Sequence, residues 1–252
     1  MGSNATDGLG RGDYGYDAPY ALVIFATIGT LSAAAAVVFS SMPERRPAVL
    51  SSLYAVFFLA NAVSFFYTTR RGKFRVWEDI LDGLHLRGDE RVLDMGCGRG
   101  AVLVAVAKRL ETGRVVGVDL WSTRDQSGNA RDVTLHNASI EGVSDRVAIE
   151  TGDMRALPFP DGAFDVIVSS LAIHNISSNA ARAKAVTEAW RVLKPGGRLA
   201  IADIRVTSSY AKTLTTLGAA DVARRRLGWR FWYGNPIAGT TLVTASKART
   251  SA

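Results

Sequence analysis

The chain has 252 residues, which is enough for one large α/β domain with an appendage but short for two full domains. Its net charge of +7 comes from basic residues that are scattered or lie beside apolar segments. They lack the interleaved basic and aromatic pattern of an RNA-binding protein, so a membrane surface explains the charge better and no nucleic-acid partner is expected. The single cysteine, Cys97, excludes a disulfide within the chain and a multi-cysteine metal site, and we expect no metal.

The N-terminal part of the chain differs in character from the rest. Residues 1–19 are rich in Gly, Asp, Asn and Ser without apolar periodicity, which predicts a disordered tail. Two uncharged runs follow, at residues 20–41 and 47–69, and each is long enough to cross a bilayer as a helix. The short connector between them makes the two helices antiparallel neighbours. We therefore predict a two-helix transmembrane hairpin over residues 20–69, since core helices of soluble proteins are seldom apolar on all sides for so long.

Basic residues beside the two runs predict the orientation of the hairpin. Five lie on the side of the chain termini and two lie in the connector, which favours both termini and the globular domain on the cytoplasmic side. The five are Arg11, Arg70, Arg71, Lys73 and Arg75, and the two are Arg45 and Arg46.

The remainder of the chain has the pattern of a layered α/β domain. Residues 70–90 read as an amphipathic helix that links the hairpin to a domain at residues 91–252. From residue 91 strand-like and helix-like segments alternate, which predicts a parallel sheet covered on both faces. The last two strand-like runs, 220–231 and 240–246, have no helix between them, so we expect them to pair antiparallel at the edge of the sheet.

A glycine-rich turn follows the first strand of this domain. The strand contains Asp94, and the turn that follows has alternate glycines at Gly96, Gly98 and Gly100 before a helical pattern begins. Such a turn lets a ligand approach the main chain without an intervening Cβ, and the helix start offers unpaired N–H groups. Alone it is a weak signal, because many strand-to-helix turns use glycine for geometry only.

Two further acidic residues end the next strands. Asp119, nineteen residues after Gly100, can accept both hydroxyls of a ribose that lies beside the glycine turn. Asp153, flanked by Gly152 and Met154, can accept from an exocyclic amine while the methionine packs on a flat ring. Capping of turns or helices is the alternative role for such carboxylates.

Together with Leu-Pro-Phe-Pro-Asp-Gly at residues 157–162 and Lys-Pro-Gly-Gly at residues 194–197, these motifs resemble the class I S-adenosylmethionine-dependent methyltransferases. They are most similar to the branch with the quinone-biosynthesis and sterol methyltransferases, over about residues 91–204. The resemblance implies a Rossmann-like, seven-stranded, mostly parallel sheet with a reversed edge strand, and S-adenosylmethionine as cofactor. A dinucleotide dehydrogenase, the main competitor, normally has Gly-x-Gly-x-x-Gly instead of alternating glycines.

The resemblance also implies which residues hold each part of the cofactor. Asp94 and the glycine turn would hold the methionine moiety, Asp119 the ribose, and Asp153 with its neighbours the adenine. The full cofactor-binding set is Asp94, Gly96, Cys97, Gly98, Gly100, Asp119, Leu120, Gly152, Asp153, Met154 and Ser169.

The acceptor pocket is expected after the fourth strand, at residues 169–176, because open α/β sheets bind ligands at the carboxyl edge. His174 is the candidate general base or acceptor-orienting group, with Asn175 beside it. A packing or backbone-capping histidine is the equally weighted alternative. Residues 121–129 form an unusually polar insert that either contributes to this pocket or is a capped loop.

We therefore predict a membrane-anchored methyltransferase for a small hydrophobic or lipid-like acceptor, since such an acceptor partitions into the bilayer where the enzyme is anchored. Two alternatives stay open: a tethered methyltransferase for a soluble small molecule, and a non-catalytic S-adenosylmethionine-binding scaffold. Near the C-terminus, residues 224–226 are consecutive arginines that either contact lipid phosphates or form a solvated face. The aromatics at residues 229–233 either pack in the core or reach the membrane interface. The oligomeric state is left open.

Overall fold

The computed structural model describes residues 12–123 and 126–249. Two long helices, α1 (Pro19–Ser40) and α2 (Arg46–Tyr67), lie side by side and form the hairpin, residues 19–67. Gly29 of α1 lies against Leu59 of α2, where a Cβ would come within 2.8 Å of the leucine side chain. Both helices are long and apolar enough to cross a membrane.

No flexible linker separates the hairpin from the domain. Helix α2 continues through a π-helical turn, Thr68–Gly72, into α3 (Lys73–Gly83), so residues 46–83 form one continuous helix. The amphipathic pattern predicted for this segment is realised in α3, whose apolar face is buried against the domain through Trp77, Ile80 and Leu81. The predicted linker is therefore part of the core of the domain.

The domain is built on one seven-stranded sheet with the strand order β3-β2-β1-β4-β5-β7-β6. The first five strands run parallel, and β7 is antiparallel to both β5 and β6. This confirms the predicted Rossmann-like class with a reversed strand, which lies one place in from the edge. The strands are β1 (Arg91–Met95), β2 (Arg114–Asp119), β3 (Val147–Thr151), β4 (Phe164–Ser170), β5 (Leu193–Asp203), β6 (Ala220–Arg226) and β7 (Thr241–Ser246).

Helices cover both faces of this sheet, as the alternating pattern predicts. Helices α3, α4 and α5 pack on one face, and α6 and α7 pack on the other. The central strands are therefore buried on both sides, and Leu93, Ile167 and Leu199 have no exposed surface. The remaining helices are α4 (Ala101–Ala107), α5 (Arg131–Ile140), α6 (Asn179–Val192) and α7 (Thr207–Thr216).

The N-terminal segment that precedes the hairpin is ordered against the domain. The predicted disordered tail does not hold for residues 12–18, here called the strap. The Tyr14 hydroxyl donates to Glu141 Oε1 at 3.2 Å, and the buried Lys73 lies 2.7 Å from Asp17. The polar composition alone suggested disorder. The hydrogen-bond partners that order the strap lie more than fifty residues away in the chain, so the local sequence does not reveal them. Residues 1–11, including the Arg11 used in the charge count, lie outside the described residues.

Candidate active site

A cavity of about 640 Å³ lies at the carboxyl ends of the parallel strands. Its wall is formed by the glycine turn and the strand ends beside it, by the segment after β4, and by the base of the hairpin. The predicted site residues that line it are Asp94, Gly96, Cys97, Gly98, Asp119, Leu120, Gly152, Asp153, Met154, His174 and Asn175. The topology thus brings together almost the whole predicted set.

The glycine turn, residues 96–100, has a backbone that only glycine adopts readily. Gly96, Gly98 and Gly100 all have positive φ, at 74°, 50° and 87°. A Cβ at Gly96 would collide with the Ala172 side chain and come within 3.2 Å of Met154. The turn therefore keeps main-chain atoms at the cavity surface. The sequence pattern was correct here because the constraint is local.

Asp94 is a buried acid whose partner is missing from the protein itself. Neither carboxylate oxygen accepts a hydrogen bond from the described residues, although the side chain is 1% exposed and lines the cavity. Burial raises the pKa of Asp94 to about 8, and the negative charge of Asp119 adds to this rise. A cationic group in the cavity would satisfy both oxygens, and the ammonium of a methionine moiety has that chemistry.

Asp119 is fixed by the turn that it faces. One carboxylate oxygen accepts from the Gly98 N–H at 2.8 Å, and the other accepts from the Trp121 N–H at 2.6 Å and from Asn129 Nδ2 at 3.1 Å. Turn capping and ligand binding are compatible here, because the oxygen that accepts from Gly98 has a second lone pair free and the residue lines the cavity. These bonds hold the carboxylate beside the glycine turn.

The third predicted acid, Asp153, forms an ion pair with a nearby arginine. Asp153 forms a bidentate pair with Arg155, with Oδ2 at 2.5 Å from Nη2, and this guanidinium lowers the pKa of the Asp153 carboxyl. Its carboxylate remains at the cavity wall beside Met154, which is half-buried. An adenine contact from Asp153 would therefore share the carboxylate with Arg155.

His174 belongs to a buried polar cluster that the sequence did not predict. Its backbone N–H donates to Asp203 Oδ2 at 3.0 Å, and its Nδ1 lies 2.5 Å from Asp203 Oδ1 without the alignment of a hydrogen bond. Asp203 is fully buried at the end of β5 and also accepts from the Tyr210 hydroxyl at 3.1 Å. Burial and the charge of Asp203 raise the pKa of Tyr210, which keeps that hydroxyl a donor. The signal for Asp203 was an acid at a strand end on the same sheet edge.

Two members of the predicted cofactor set do not face the cavity. Ser169 is fully buried, and its hydroxyl donates to the Met95 carbonyl oxygen at 2.8 Å, so it joins β4 to β1. Its neighbour Ser170 lines the cavity, because successive strand residues face opposite sides. Gly100 caps α4 and shapes the turn without lining the cavity. Asn175, the companion of His174, is exposed at the cavity wall.

Cys97 fills a small buried space beside Gly117, and burial raises the pKa of its thiol. The thiol is therefore held in its neutral form. The side chain is small enough for this space, and no group among the described residues activates it as a nucleophile.

The wall opposite the cofactor-type residues was missed by sequence reasoning. Trp77 of α3 lines the cavity, and its indole N–H donates to Ser170 Oγ at 2.8 Å. The base of the hairpin contributes Tyr20, Ala21 and Phe65 to the same cavity. No local motif marks these residues, because they reach the site only through the packing of α1 and of the continuous helix from α2 to α3.

The polar insert at residues 121–129 connects the glycine turn to the strap. Gln126 Oε1 accepts from the Arg99 N–H at 2.9 Å, and its Nε2 donates to the Tyr14 carbonyl oxygen at 3.2 Å. Gln126 and Asn129 both line the cavity. Of the residues in the insert, 124 and 125 lie outside the described part of the chain.

Comparison with known proteins agrees with this geometry. Residues 93–201 match the family described as a methyltransferase domain. The crystal structure of a SAM-dependent methyltransferase from Aquifex aeolicus superposes with a TM-score of 0.52 at 22% identity, covering 68% of this chain and 88% of that one. The domain has the fold of the class I S-adenosylmethionine-dependent methyltransferases, and its match to the methyltransferase domain indicates S-adenosylmethionine as cofactor.

Within that class the chain is similar to quinone-biosynthesis enzymes. The demethylmenaquinone methyltransferase of Lactiplantibacillus plantarum is 34% identical over 130 residues, which are 51% of this chain and 51% of that protein. The ubiquinone/menaquinone biosynthesis C-methyltransferase UbiE of Ruegeria sp. is 36% identical over 131 residues, which are 52% of this chain and 49% of that protein. The chain thus spans about half the length of the curated relatives that it matches.

Proposed function

We propose that this protein is a membrane-anchored methyltransferase that transfers a methyl group from S-adenosylmethionine to a hydrophobic, quinone-like or lipid-like acceptor. The observation that carries the proposal is the shared cavity. The same 640 Å³ space is lined by Asp94 and Asp119 on the cofactor side and by Tyr20 and Phe65 at the base of the hairpin. An acceptor dissolved in the bilayer would reach the cofactor along this wall.

The exposure of the hairpin supports anchoring in a bilayer. Only 6% of the most apolar window of α1 is buried, so this helix is not a core helix of a soluble domain. Large apolar side chains on both helices are more than half exposed, and in water such a surface would be strongly unfavourable. They include Val23, Leu31, Val37, Leu53 and Val63. A bilayer covers this surface, and the basic residues that follow α2 favour the domain on the cytoplasmic side.

The lining of the acceptor side supports a hydrophobic acceptor. Between the hairpin base and the segment after β4, the wall contains Phe74, Trp77, Leu171 and Ile176. Flat aromatic and aliphatic surfaces of this kind favour a planar ring with an apolar tail. The relatives named as menaquinone and ubiquinone methyltransferases support the same acceptor class.

In the proposed reaction the protein mainly positions two reactants. When bound, S-adenosylmethionine supplies a methyl group on a positively charged sulfur. Asp94 and the glycine turn would hold the methionine end, and Asp119 would hold the ribose. The apolar wall would exclude water and orient the acceptor toward the methyl carbon, whose bond to sulfur breaks as the bond to the acceptor forms and leaves a neutral thioether.

His174 is the proposed general base. The backbone N–H of His174 is held by Asp203, and its Nε2 is then the proposed acceptor of the proton that the acceptor molecule loses as the new bond to the methyl carbon forms. The buried carboxylate of Asp203 then stabilises the protonated ring, and the Tyr210 hydroxyl keeps that carboxylate in place. Tyr210 is a positioning residue in this scheme, since it acts through Asp203.

The test uses the full chain in lipid nanodiscs with S-adenosylmethionine that carries a radiolabelled methyl group. Lipid extracts and a panel of quinols serve as acceptors, and label is expected in the apolar phase. His174→Gln should lower kcat by about 100-fold or more, as loss of a general base does, while the Kd for S-adenosylmethionine stays unchanged.

The matched control is His136→Gln, which changes an exposed histidine on α5 outside the cavity and should leave both quantities unchanged. Label that enters only water-soluble compounds would contradict the hydrophobic acceptor and favour the tethered enzyme for soluble substrates. Binding of S-adenosylmethionine without transfer to any compound tested would favour the non-catalytic scaffold.

A further inference from the structure

A second cavity, of about 410 Å³, lies beside the active site and is rich in arginine. We call it the basic groove. Its wall includes guanidinium groups, two hydroxyl side chains at the start of α7 and two isoleucines. Among these residues are Arg205, Arg224, Arg226, Thr207, Ser208 and Ile237.

None of the three arginines of the groove forms an ion pair with an acid in the described part of the chain. Arg205, Arg224 and Arg226 have no carboxylate partner in the part of the chain that the structure describes, and Arg224 donates to Thr207 Oγ1 at 3.2 Å. Arg225 lies between two of them on β6 but does not line the groove, since alternate strand residues face opposite sides. The arginine run of the sequence is therefore divided into a groove-facing pair and one outward residue.

The loop beside the groove contacts α2, and these contacts show how far along the hairpin the groove lies. This interface loop, residues 229–239, stacks Trp229 on Tyr67 with ring centres 5.3 Å apart. Further along the loop, Asn235 Nδ2 donates to Asn61 Oδ1 at 2.8 Å. Asn61 lies six residues before the end of α2, so at 1.5 Å per residue the loop rises roughly 9 Å along the hairpin.

Ile237 lies at the most exposed position of this loop. Its surface is 92% exposed, although it is a large apolar side chain, and it forms one wall of the basic groove. The hydrogen bond from Asn235 to Asn61 holds this part of the loop against the apolar part of α2. If the hairpin spans a bilayer, Ile237 is then at the depth where headgroups meet acyl chains.

We propose that the basic groove binds the phosphate of an anionic phospholipid in the leaflet next to the domain, with Ile237 inserted beside the acyl chains. This rests on the proposed anchoring of the hairpin. Three guanidinium groups complement a phosphodiester and hold it by charge-assisted hydrogen bonds, while the adjacent apolar side chain fits the start of the tails. A free phosphate ion would leave Ile237 without a partner, so the lipid fits the whole surface better.

The groove also borders the active site. Ile204 and Arg205 line both the basic groove and the catalytic cavity. A phospholipid held in the groove would therefore place the rim of the catalytic cavity at the level of the headgroups. An acceptor ring that lies at that level would then have a short path to the cavity.

The first test measures the depth of Ile237. Full-length Ile237→Cys is labelled with an environment-sensitive fluorophore and reconstituted in nanodiscs; Cys97 is buried, and its background labelling is measured on the unmodified chain. Leu31→Cys, in the middle of α1, is the bilayer reference, and Thr187→Cys, exposed on α6, is the aqueous reference. Nitroxide-labelled lipids should quench the probes at 237 and 31 and leave the probe at 187 unaffected.

A probe at 237 that stays as unquenched as the one at 187, while the probe at 31 is quenched, would overturn the lipid contact and leave the anchoring intact. Failure to quench the probe at 31 would instead contradict the anchoring itself. The two failures are therefore distinguishable in one experiment.

The second test compares neighbouring arginines. Arg226→Gln and Arg225→Gln remove the same charge one residue apart, and only Arg226 lines the groove. Phosphatidylglycerol retained by the purified chain is counted by native mass spectrometry, with thermal unfolding as a check of the fold. Retention should fall at least threefold in Arg226→Gln, fall further in Arg224→Gln/Arg226→Gln, and stay at the parent level in Arg225→Gln.

Equal loss in Arg225→Gln would show non-specific attraction to a charged surface and overturn the site. Inorganic phosphate at millimolar concentration is added in a parallel arm. Complete displacement of phosphatidylglycerol by phosphate would also overturn the proposal, since it would identify an ion site that does not recognise a lipid.

Discussion

The catalytic cavity has two walls that depend on the sequence in different ways. The cofactor wall contains the glycine turn and the acids at the strand ends, and the membrane wall is formed by the strap, the base of the hairpin and the interface loop. On the cofactor wall, Asp119 bonds to Gly98, twenty-one residues away, and to Asn129, ten residues away. On the membrane wall, Asp17 bonds to Tyr233 across 216 residues, and Asn61 bonds to Asn235 across 174 residues. The binding of a common cofactor is thus specified by short motifs, whereas the acceptor side is specified by long-range packing of the strap, hairpin and interface loop.

The largest effect is expected on the membrane wall, from Asp17→Asn. This change keeps the shape of the side chain but leaves the buried Lys73 ammonium without its carboxylate, which should lower the free energy of unfolding by about 3–5 kcal/mol. Burial and the charge of Asp17 raise the pKa of Tyr233, so the tyrosine stays a donor and cannot replace the lost charge. Thermal and denaturant unfolding of the full chain in detergent would measure the loss.

Asp13→Asn is the matched control on the same strap. Asp13 pairs with Arg99 but its side chain is 71% exposed, so the change should cost less than about 1 kcal/mol. Equal effects of the two substitutions would show that the strap is held by its overall charge and not by the buried pair.

On the cofactor wall the largest effect is expected from Asp119→Ala. The substitution removes the ribose acceptor and leaves the Gly98 N–H and the Asn129 amide without their partner, so the Kd for S-adenosylmethionine should rise by about 30- to 100-fold, or about 2–3 kcal/mol. Isothermal titration calorimetry measures it, with the exposed Asp145→Ala as control. An unchanged Kd would remove the central evidence for the cofactor site.

The raised pKa of Asp94 predicts a pH dependence of cofactor binding. Below pH 8 the folded, ligand-free protein holds a proton on Asp94, and a cationic ligand must displace it. Affinity for S-adenosylmethionine should therefore rise about tenfold per pH unit between pH 6 and 7.5, with release of one proton. Calorimetry in buffers of different ionisation enthalpy counts that proton, and Asp94→Asn should bind weakly with no proton release.

The raised pKa of Asp94 also makes the stability of the ligand-free protein depend on pH, but stability falls where cofactor affinity rises. The carboxyl of the unfolded chain ionises near 3.8, so between that pH and about 8 the folded chain binds more protons. Without cofactor, the free energy of unfolding should fall as the pH rises through this window. A stability that is flat in Asp94→Asn but falls in the parent chain would assign the effect to this carboxyl.

The smallest effect is expected at Ser169, which the resemblance placed in the cofactor set. Ser169→Ala removes the hydrogen bond to the Met95 carbonyl oxygen and should cost about 1 kcal/mol of stability. The Kd for S-adenosylmethionine should not change, because the side chain does not face the cavity. A raised Kd with unchanged stability would return Ser169 to the cofactor wall.

The sequence predicts the cofactor side of the cavity better than the acceptor side. The alternating apolar segments predicted the sheet, and the spacing from Gly100 to Asp119 predicted a carboxylate beside the glycine turn, because both depend on local geometry. The partner of His174 was missed, since Asp203 comes from another strand end and no spacing rule connects the two. The strap was taken for a disordered tail because its partners, such as Glu141, are distant in sequence and only the fold brings them near.

The π-helical turn at Thr68–Gly72 determines the direction in which the active site faces. Each residue of an α-helix advances the chain by about 100°, so deleting one residue from this turn would rotate the whole domain by roughly that angle about the axis of α2. Gly72 is needed there, because a Cβ would collide with the Arg230 carbonyl oxygen. Five residues outside any catalytic motif therefore determine how the domain is rotated about the axis of α2. This rotation also determines the side from which an acceptor enters.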